Sequence, residues 1–223
     1  MPPFAAALLP DQDPSVLAYG ASYDKMTVSL RYWLLGRRFF KALDAMELGA
    51  SLHTGTRKDG TPEFSHQIWQ AQYLRTLESG LLYPEESFVT VFLHDAVEDK
   101  MVVPDTLTAR FGALSGAAVD AMSKIVLGQH KPTDAYFDAL ARDPIASVAK
   151  GIDRIHNHGS MLGAFTKAKI GSYLQETDHH ILPMLKAARR AFPQQEPVYE
   201  NVRMHLMAQR FYLRTLLAVP GLE

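Results

Sequence analysis

The sequence predicts an all-α protein, and three observations predict it. Apolar residues recur at i, i+3, i+4 spacing in one segment after another. No alternating apolar–polar run of useful length for a strand appears anywhere. Gly-, Pro- and Asp-containing stretches separate the periodic segments. With 223 residues, 47% of them hydrophobic, the chain can bury a sizeable core in one large or two small domains. Lys plus Arg is 23 and Asp plus Glu is 24, so the charge balance of -1 gives no global reason to expect nucleic acid or an anionic membrane. Cysteine is absent, which excludes disulfides and thiolate metal sites and suits a reducing, cytoplasmic location. No segment reaches the roughly 18 apolar residues of a membrane span.

Residues 1–22 contain Pro and Asp and read as a surface arm, with no basic region of the kind that opens a signal peptide. From about Lys25 to Leu52 a wide apolar stripe (Val28, Leu30, Trp33, Leu34, Phe39, Leu43, Met46) predicts helix, with Gly36 and Gly49 as candidate interruptions. His53 to Pro62 is a Gly/Asp/Thr/Pro loop carrying the cationic pair Arg57-Lys58. Ser65 starts a helix that runs to about Glu78, and His66 in its first turn has the ordinary reading of a surface or capping residue. Pro84-Glu85-Glu86 opens the next helix, because Pro and acids suit a first turn. Pro104–Phe111 and Gly116–Leu127 read as helices, followed by a loop to Pro132. Thr133-Asp134 is a capping signal for helix 135–142, and Asp143-Pro144 opens a helix to about Asn157. Residues 161–192 are mostly helical, 193–197 a linker, and 198–219 a final amphipathic helix able to pack at home or on a second subunit. The expected organisation is an arm (1–22), a main helical domain (23–192) and a C-terminal helix (193–223).

The chemistry concentrates in Phe92-Leu93-His94-Asp95-Ala96-Val97-Glu98-Asp99. An apolar run at helical spacing enters this stretch, so it reads as the buried end of a helix. His94 and Glu98 are four apart, as are Asp95 and Asp99; about 400° of rotation places each pair on one face. Carboxylates packed that closely repel unless a cation sits among them, the physical case for a metal; without Cys it would be a hard or borderline divalent ion. A solvated acidic helix end is the plain alternative, but Phe92-Leu93 argues for burial. A second polar face follows apolar residues in Asp153, His156 and Asn157, at i, i+3 and i+4. His179-His180 is a weaker pair, since neighbouring helical residues point about 100° apart.

Three separated pieces, His66, His94-Asp95 and Asp153, fit the order H…HD…D, which resembles the HD superfamily of metal-dependent phosphohydrolases, a helical-bundle fold. The stretch Arg57 to His66 is similar to the R-x-x-G-x-P-x-x-x-H segment of the RelA/SpoT-type hydrolase domain. Leu93 to Asp99 is similar to its L-H-D-V-V-E-D, and Gly151 to Asn157 to its L-A-D-R-L-H-N. Glu176-Thr177 with Pro183 resembles a later E-T…P helix, so the likeness covers about residues 30 to 190. The resemblance implies one divalent ion, Mn²⁺, held by His66, His94, Asp95 and Asp153. It implies Glu98 and Asp99 as the groups that position and deprotonate the attacking water or protonate the leaving oxygen. It implies Arg57, Lys58, Asn157 and Ser160 as nucleotide contacts.

The implied reaction removes the 3′-pyrophosphate of (p)ppGpp or (p)ppApp. Two other readings stand beside it: an HD phosphohydrolase on another nucleotide phosphate such as NADPH, and a nucleotide-binding or antitoxin-like module. The implied partner is a small-molecule nucleotide, with no nucleic acid and no membrane, and homo-oligomerisation is left open. The sequence departs from the family where Met-Arg becomes His158-Gly159, and where H-x-G-Q-x-R becomes His53-Thr-Gly-Thr-Arg57. The segment between His66 and His94 also looks longer by a few residues. These departures bear on base preference more than on hydrolysis. The family's long enzymes place a synthetase after the hydrolase, and the few residues after the resemblance are too short for such a domain.

Overall fold

A computed structural model of the chain describes residues 22–57, 60–162 and 164–218. The described residues form a helical bundle, as expected. The arm is among the expectations that lie outside them, save its last residue, Ser22, which caps the first helix by accepting from the Lys25 N–H.

The helices are α1 (Tyr23–Arg37), α2 (Phe40–Leu52), α3 (Ser65–Thr76), α4 (Pro84–Leu93), α5 (Ala96–Lys100), α6 (Pro104–Phe111), α7 (Ala113–Met122), α8 (Thr133–Ala141), α9 (Pro144–Ser160), α10 (Lys167–Glu176), α11 (Leu182–Ala191) and α12 (Glu196–Ala218). One turn of π-helix, Thr177–Ile181, joins α10 to α11. No described helix is long and apolar enough to cross a membrane.

The axis of the bundle is α9. Asp143 caps it, one carboxylate oxygen accepting from the N–H groups of both Ile145 and Ala146 at 2.8 Å, and Pro144 fills the first turn. Its apolar face (Ile145, Val148, Ile152, Ile155) is buried, and α3, α4, α7, α8, α11 and α12 pack around it. The first half of α12 supplies Val198, Tyr199, Val202 and Leu206 to the same core, so this part of the last helix packs at home. Leu213 joins a small second cluster with Met161, Ile170 and Leu174, while Phe211 and Tyr212 stay exposed.

Several local expectations are corrected. The stripe from Lys25 to Leu52 is two helices, and neither Gly36 nor Gly49 makes the break. Arg38 takes a left-handed conformation at φ 60°, and Phe39 turns inward against Trp33 (5.9 Å between centroids) and Phe88 (6.0 Å). Aromatic burial overrides the local pattern there. Thr133 and Asp134 do not cap α8; Pro132 holds the cap position, and no side chain closes it. The expected helix tail and loop after Met122 form a two-residue hairpin, β1 (Ile125–Val126) and β2 (Gln129–His130), turned by Leu127 at φ 49° and Gly128 at φ 78°. The linker at 193–197 is a single 3₁₀ turn running directly into α12.

Gly49 lies where α2 crosses the segments that lead into α3 and out of α4. A Cβ there would meet Phe64 Cε2 at 2.6 Å and the Phe92 carbonyl oxygen at 2.7 Å. Gly49→Ala is therefore expected to destabilise the fold. Overpacking costs about 1–3 kcal/mol, and the helix propensity gained by alanine returns only about 1 kcal/mol. Urea unfolding at fixed pH checks this, and an unchanged midpoint would mean that the helices part without cost.

Candidate metal centre and its surroundings

Three of the residues singled out in the sequence meet at one point. His66 sits in the first turn of α3, His94 at the residue that ends α4, and Asp153 in the third turn of α9. All three are buried, so the surface or capping reading of His66 does not hold. One ligand atom from each lies within 4.8 Å of the others, a group that could hold a metal ion. The fourth residue, Asp95, flanks it: Oδ2 is 3.1 Å from His94 Nε2 and 3.9 Å from His66 Nε2.

The helix containing Phe92-Leu93 does not run on through the acidic residues, as the spacing predicts. It ends at Leu93, His94 and Asp95 form the turn, and α5 restarts at Ala96. The restart gives the carboxylates separate surroundings. Asp95 joins the histidines, whereas Glu98 Oε2 accepts from the Lys124 N–H at 2.8 Å, beside the hairpin. Asp99 is exposed at its edge.

The tautomer of His94 follows from its partner. His94 Nδ1 lies 2.9 Å from the Val91 carbonyl, which can only accept, so Nδ1 carries a proton. In neutral His94, Nε2 is then a bare lone pair facing a carboxylate oxygen at 3.1 Å. Two acceptors at that distance need a proton or a cation between them. Burial disfavours a charged His94, but Asp95 and then Asp153 outweigh it and push it up to about 9.

At His66 burial prevails and lowers the pKa. His66 Nε2 lies between the Gln70 side-chain amide at 2.6 Å and Asp153 Oδ1 at 3.1 Å, and its Nδ1 lies 2.8 Å from His156 Nδ1. An ion bound at His66 Nε2 would displace that amide. For Asp153, burial opposes ionisation, yet Lys150 and then the two histidines hold its carboxyl well below the usual range. Lys150 Nζ donates to Asp153 Oδ2 at 3.1 Å, and the Asn157 amide to Oδ1 at 2.9 Å. Gln67 donates to Asp95 Oδ2 at 3.2 Å. Two neutral imidazole nitrogens and two carboxylates form a donor set suited to a divalent ion.

Other sequence-picked residues fall as follows. Burial raises the pKa of Asp99, and the Asp95 and Glu98 charges raise it further. Arg57 is partly exposed, and its charge reaches His156, which burial, His66 and Arg57 together push well below its ordinary value. Lys58 lies outside the described residues. Asn157 faces Asp153, and Ser160 is partly exposed as the last residue of α9. His180 stacks on Phe137 at 4.8 Å, and His179 lines a groove with Tyr173 and Glu176; neither joins the buried group.

Gln67, Gln70 and Lys150 were not legible as site residues, although their spacing from His66 and Asp153 (one, four and three residues) was a usable signal. The spacing places His156 on the face of Asp153 and does not mark it as the partner of His66.

His158 illustrates a different role. It is buried, and its Nε2–H donates to Thr177 Oγ1 at 3.0 Å, since that hydroxyl's own proton goes to the Tyr173 carbonyl. Burial, then the Arg154 charge, push it down to about 4. The unfolded chain takes up this proton near pH 6.5 and the folded one does not. The stability His158 contributes is therefore present above pH 6.5 and lost as pH falls toward 4, by up to about 3 kcal/mol. In His158→Met that part of the acid loss is expected to disappear. Urea unfolding at pH 7 and 4.5 measures it, and an equal loss in both proteins would remove His158 as its source.

No family model matches the chain. Among curated proteins, it is 28% identical over 162 residues to a probable GTP pyrophosphokinase of Mycobacterium leprae, covering 70% of this chain and 19% of that protein. It is 29% identical over 136 residues to a probable guanosine-3′,5′-bis(diphosphate) 3′-pyrophosphohydrolase of Synechocystis, covering 57% and 17%. It is 31% identical over 140 residues to a GTP pyrophosphokinase of Myxococcus xanthus, covering 57% and 18%. The chain thus spans less than a fifth of each relative, and all three are named for enzymes that make or break pyrophosphorylated guanine nucleotides.

Proposed function

We propose that this chain is a hydrolase of the 3′-pyrophosphate of an alarmone nucleotide, (p)ppGpp or (p)ppApp, using one divalent ion, Mn²⁺. The observation that carries the reading is the buried convergence of His66, His94 and Asp153 with Asp95 against the histidines. The similarity to a named 3′-pyrophosphohydrolase supports the substrate class. The hydrolase unit is residues 23–192, with α12 packed on it.

In this reading the ion is held by His66, His94, Asp95 and Asp153, and it supplies Lewis acidity and charge neutralisation for a polyanionic substrate. Glu98, its carboxylate oriented by the Lys124 N–H, orients the attacking water and takes its proton. Asp99 protonates the leaving oxygen, and burial with the Asp95 and Glu98 charges raises its pKa, the direction that role needs. Arg57 and Lys58 bind the phosphates, Arg57 with the bidentate geometry its guanidinium allows. Asn157 and Ser160 contact the nucleotide from the end of α9.

The test is turnover of metal-stripped protein with and without Mn²⁺, offered ppGpp, ppApp and NADPH side by side. Pyrophosphate from an alarmone, only with metal, is expected. Inorganic phosphate from NADPH alone would move the protein to another nucleotide phosphate, and no turnover with metal bound would favour a binding module.

A further inference from the structure

The segment between α2 and α3 is a small hairpin. Thr56 pairs with Pro62 across it, the Arg57 N–H donates to the Thr61 carbonyl at 2.8 Å, and the Glu63 N–H donates to the Gly55 carbonyl at 2.8 Å. Its root is fixed by His53, which is buried, with Nδ1 3.0 Å from the Gly49 carbonyl and its ring stacked on Phe64. The side chain of Glu63 reaches in two directions. Oε2 accepts from the Gly55 N–H at 3.1 Å, back within the hairpin. Oε1 accepts from Lys100 Nζ at 2.7 Å. Lys100 ends α5, directly after Glu98 and Asp99.

We propose that the Glu63–Lys100 pair is a latch, a positioning pair that holds the hairpin carrying Arg57 against α5, which carries Glu98 and Asp99. It fixes the spacing between the phosphate-binding cation and the two carboxylates. The roles of those three residues rest on the proposed function; the latch rests on the geometry of the ion pair. The two side chains keep 23% and 28% of their exposure, so the pair is better shielded from solvent than an ordinary surface pair. It joins segments 37 residues apart in sequence, one leading into His66 and the other leading away from His94-Asp95. Glu63 also ties the hairpin to itself through Gly55, so a pull on the carboxylate moves the hairpin as a unit.

Trypsin can cut after Arg57 and Lys58, which makes the hairpin its own reporter. Full-length protein is digested briefly under native conditions, and the cut at 57–58 is followed by mass spectrometry, with each variant's thermal midpoint recorded. Glu63→Gln and Lys100→Met are each expected to speed this cut about three- to tenfold. The double variant should be no faster than either single, because both remove one interaction. Lys100→Arg, which keeps charge and donor, should stay near wild type. Unchanged or additive rates would overturn the latch. With ppGpp as substrate, the two loosening variants are expected to raise KM several-fold with a smaller change in kcat; an unchanged KM would overturn the positioning role. Wild-type protein that turns over no alarmone would instead overturn the proposed function, and the proteolysis cycle would still decide the latch.

Discussion

Asp153→Ala is expected to abolish divalent-ion binding and turnover together. In the proposed mechanism the ion supplies several kcal/mol of charge stabilisation, so losing it lowers turnover about 10³-fold or more. Asp153 is also the partner of Lys150, whose side chain is only 17% exposed. Removing the carboxylate leaves that ammonium without its ion pair and costs about 3–5 kcal/mol of stability. The two effects separate in the double variant Asp153→Ala/Lys150→Met, expected to regain stability while remaining metal-free and inactive. Calorimetric Mn²⁺ titration, turnover and urea unfolding on the same preparations provide the three readouts. Full turnover in Asp153→Ala would take the residue out of the site.

Glu98→Gln gives the second large effect and the opposite signature. Glu98 is separated from the buried histidines by the break at His94-Asp95 and is oriented by a backbone N–H from Lys124. The amide keeps the shape and loses the basicity. Mn²⁺ affinity is therefore expected to stay within about twofold, while kcat falls about 10²–10⁴-fold, the usual worth of a positioned general base. Normal turnover in Glu98→Gln would remove it from proton transfer; lost metal with lost turnover would make it a ligand instead.

The helical class was legible because it rests on spacing alone, and spacing survives packing. The coming together of His66, His94 and Asp153 is what the resemblance to the H…HD…D order implies; residue by residue, His66 reads as a surface position. The distances do not follow from that order, because they depend on how α3, α4 and α9 cross. The geometry of the acidic stretch departs from its spacing for a local reason. A regular helix carries Glu98 round with His94, but the chain turns at His94-Asp95, and nothing in the composition of that dipeptide announces a turn. The break at Arg38 was hidden in the same way, since a positive φ at an arginine is set by where Phe39 finds a pocket. Gln70 and Lys150 escaped notice because a glutamine or lysine on a helix is ordinarily solvated, and only burial against His66 and Asp153 gives them meaning.

The absent methyl at Gly49 reaches further than packing. The two groups a Cβ would strike belong to Phe64 and Phe92, and each stands two residues before a histidine of the cluster, His66 and His94. A side chain on α2 at residue 49 would therefore press on the two segments that lead to those imidazoles, like a shim under a gauge block. Divalent ions differ in preferred bond length by tenths of an ångström, and a wedge at residue 49 acts on that same scale. Discrimination between ions would then be written in a residue that binds none of them.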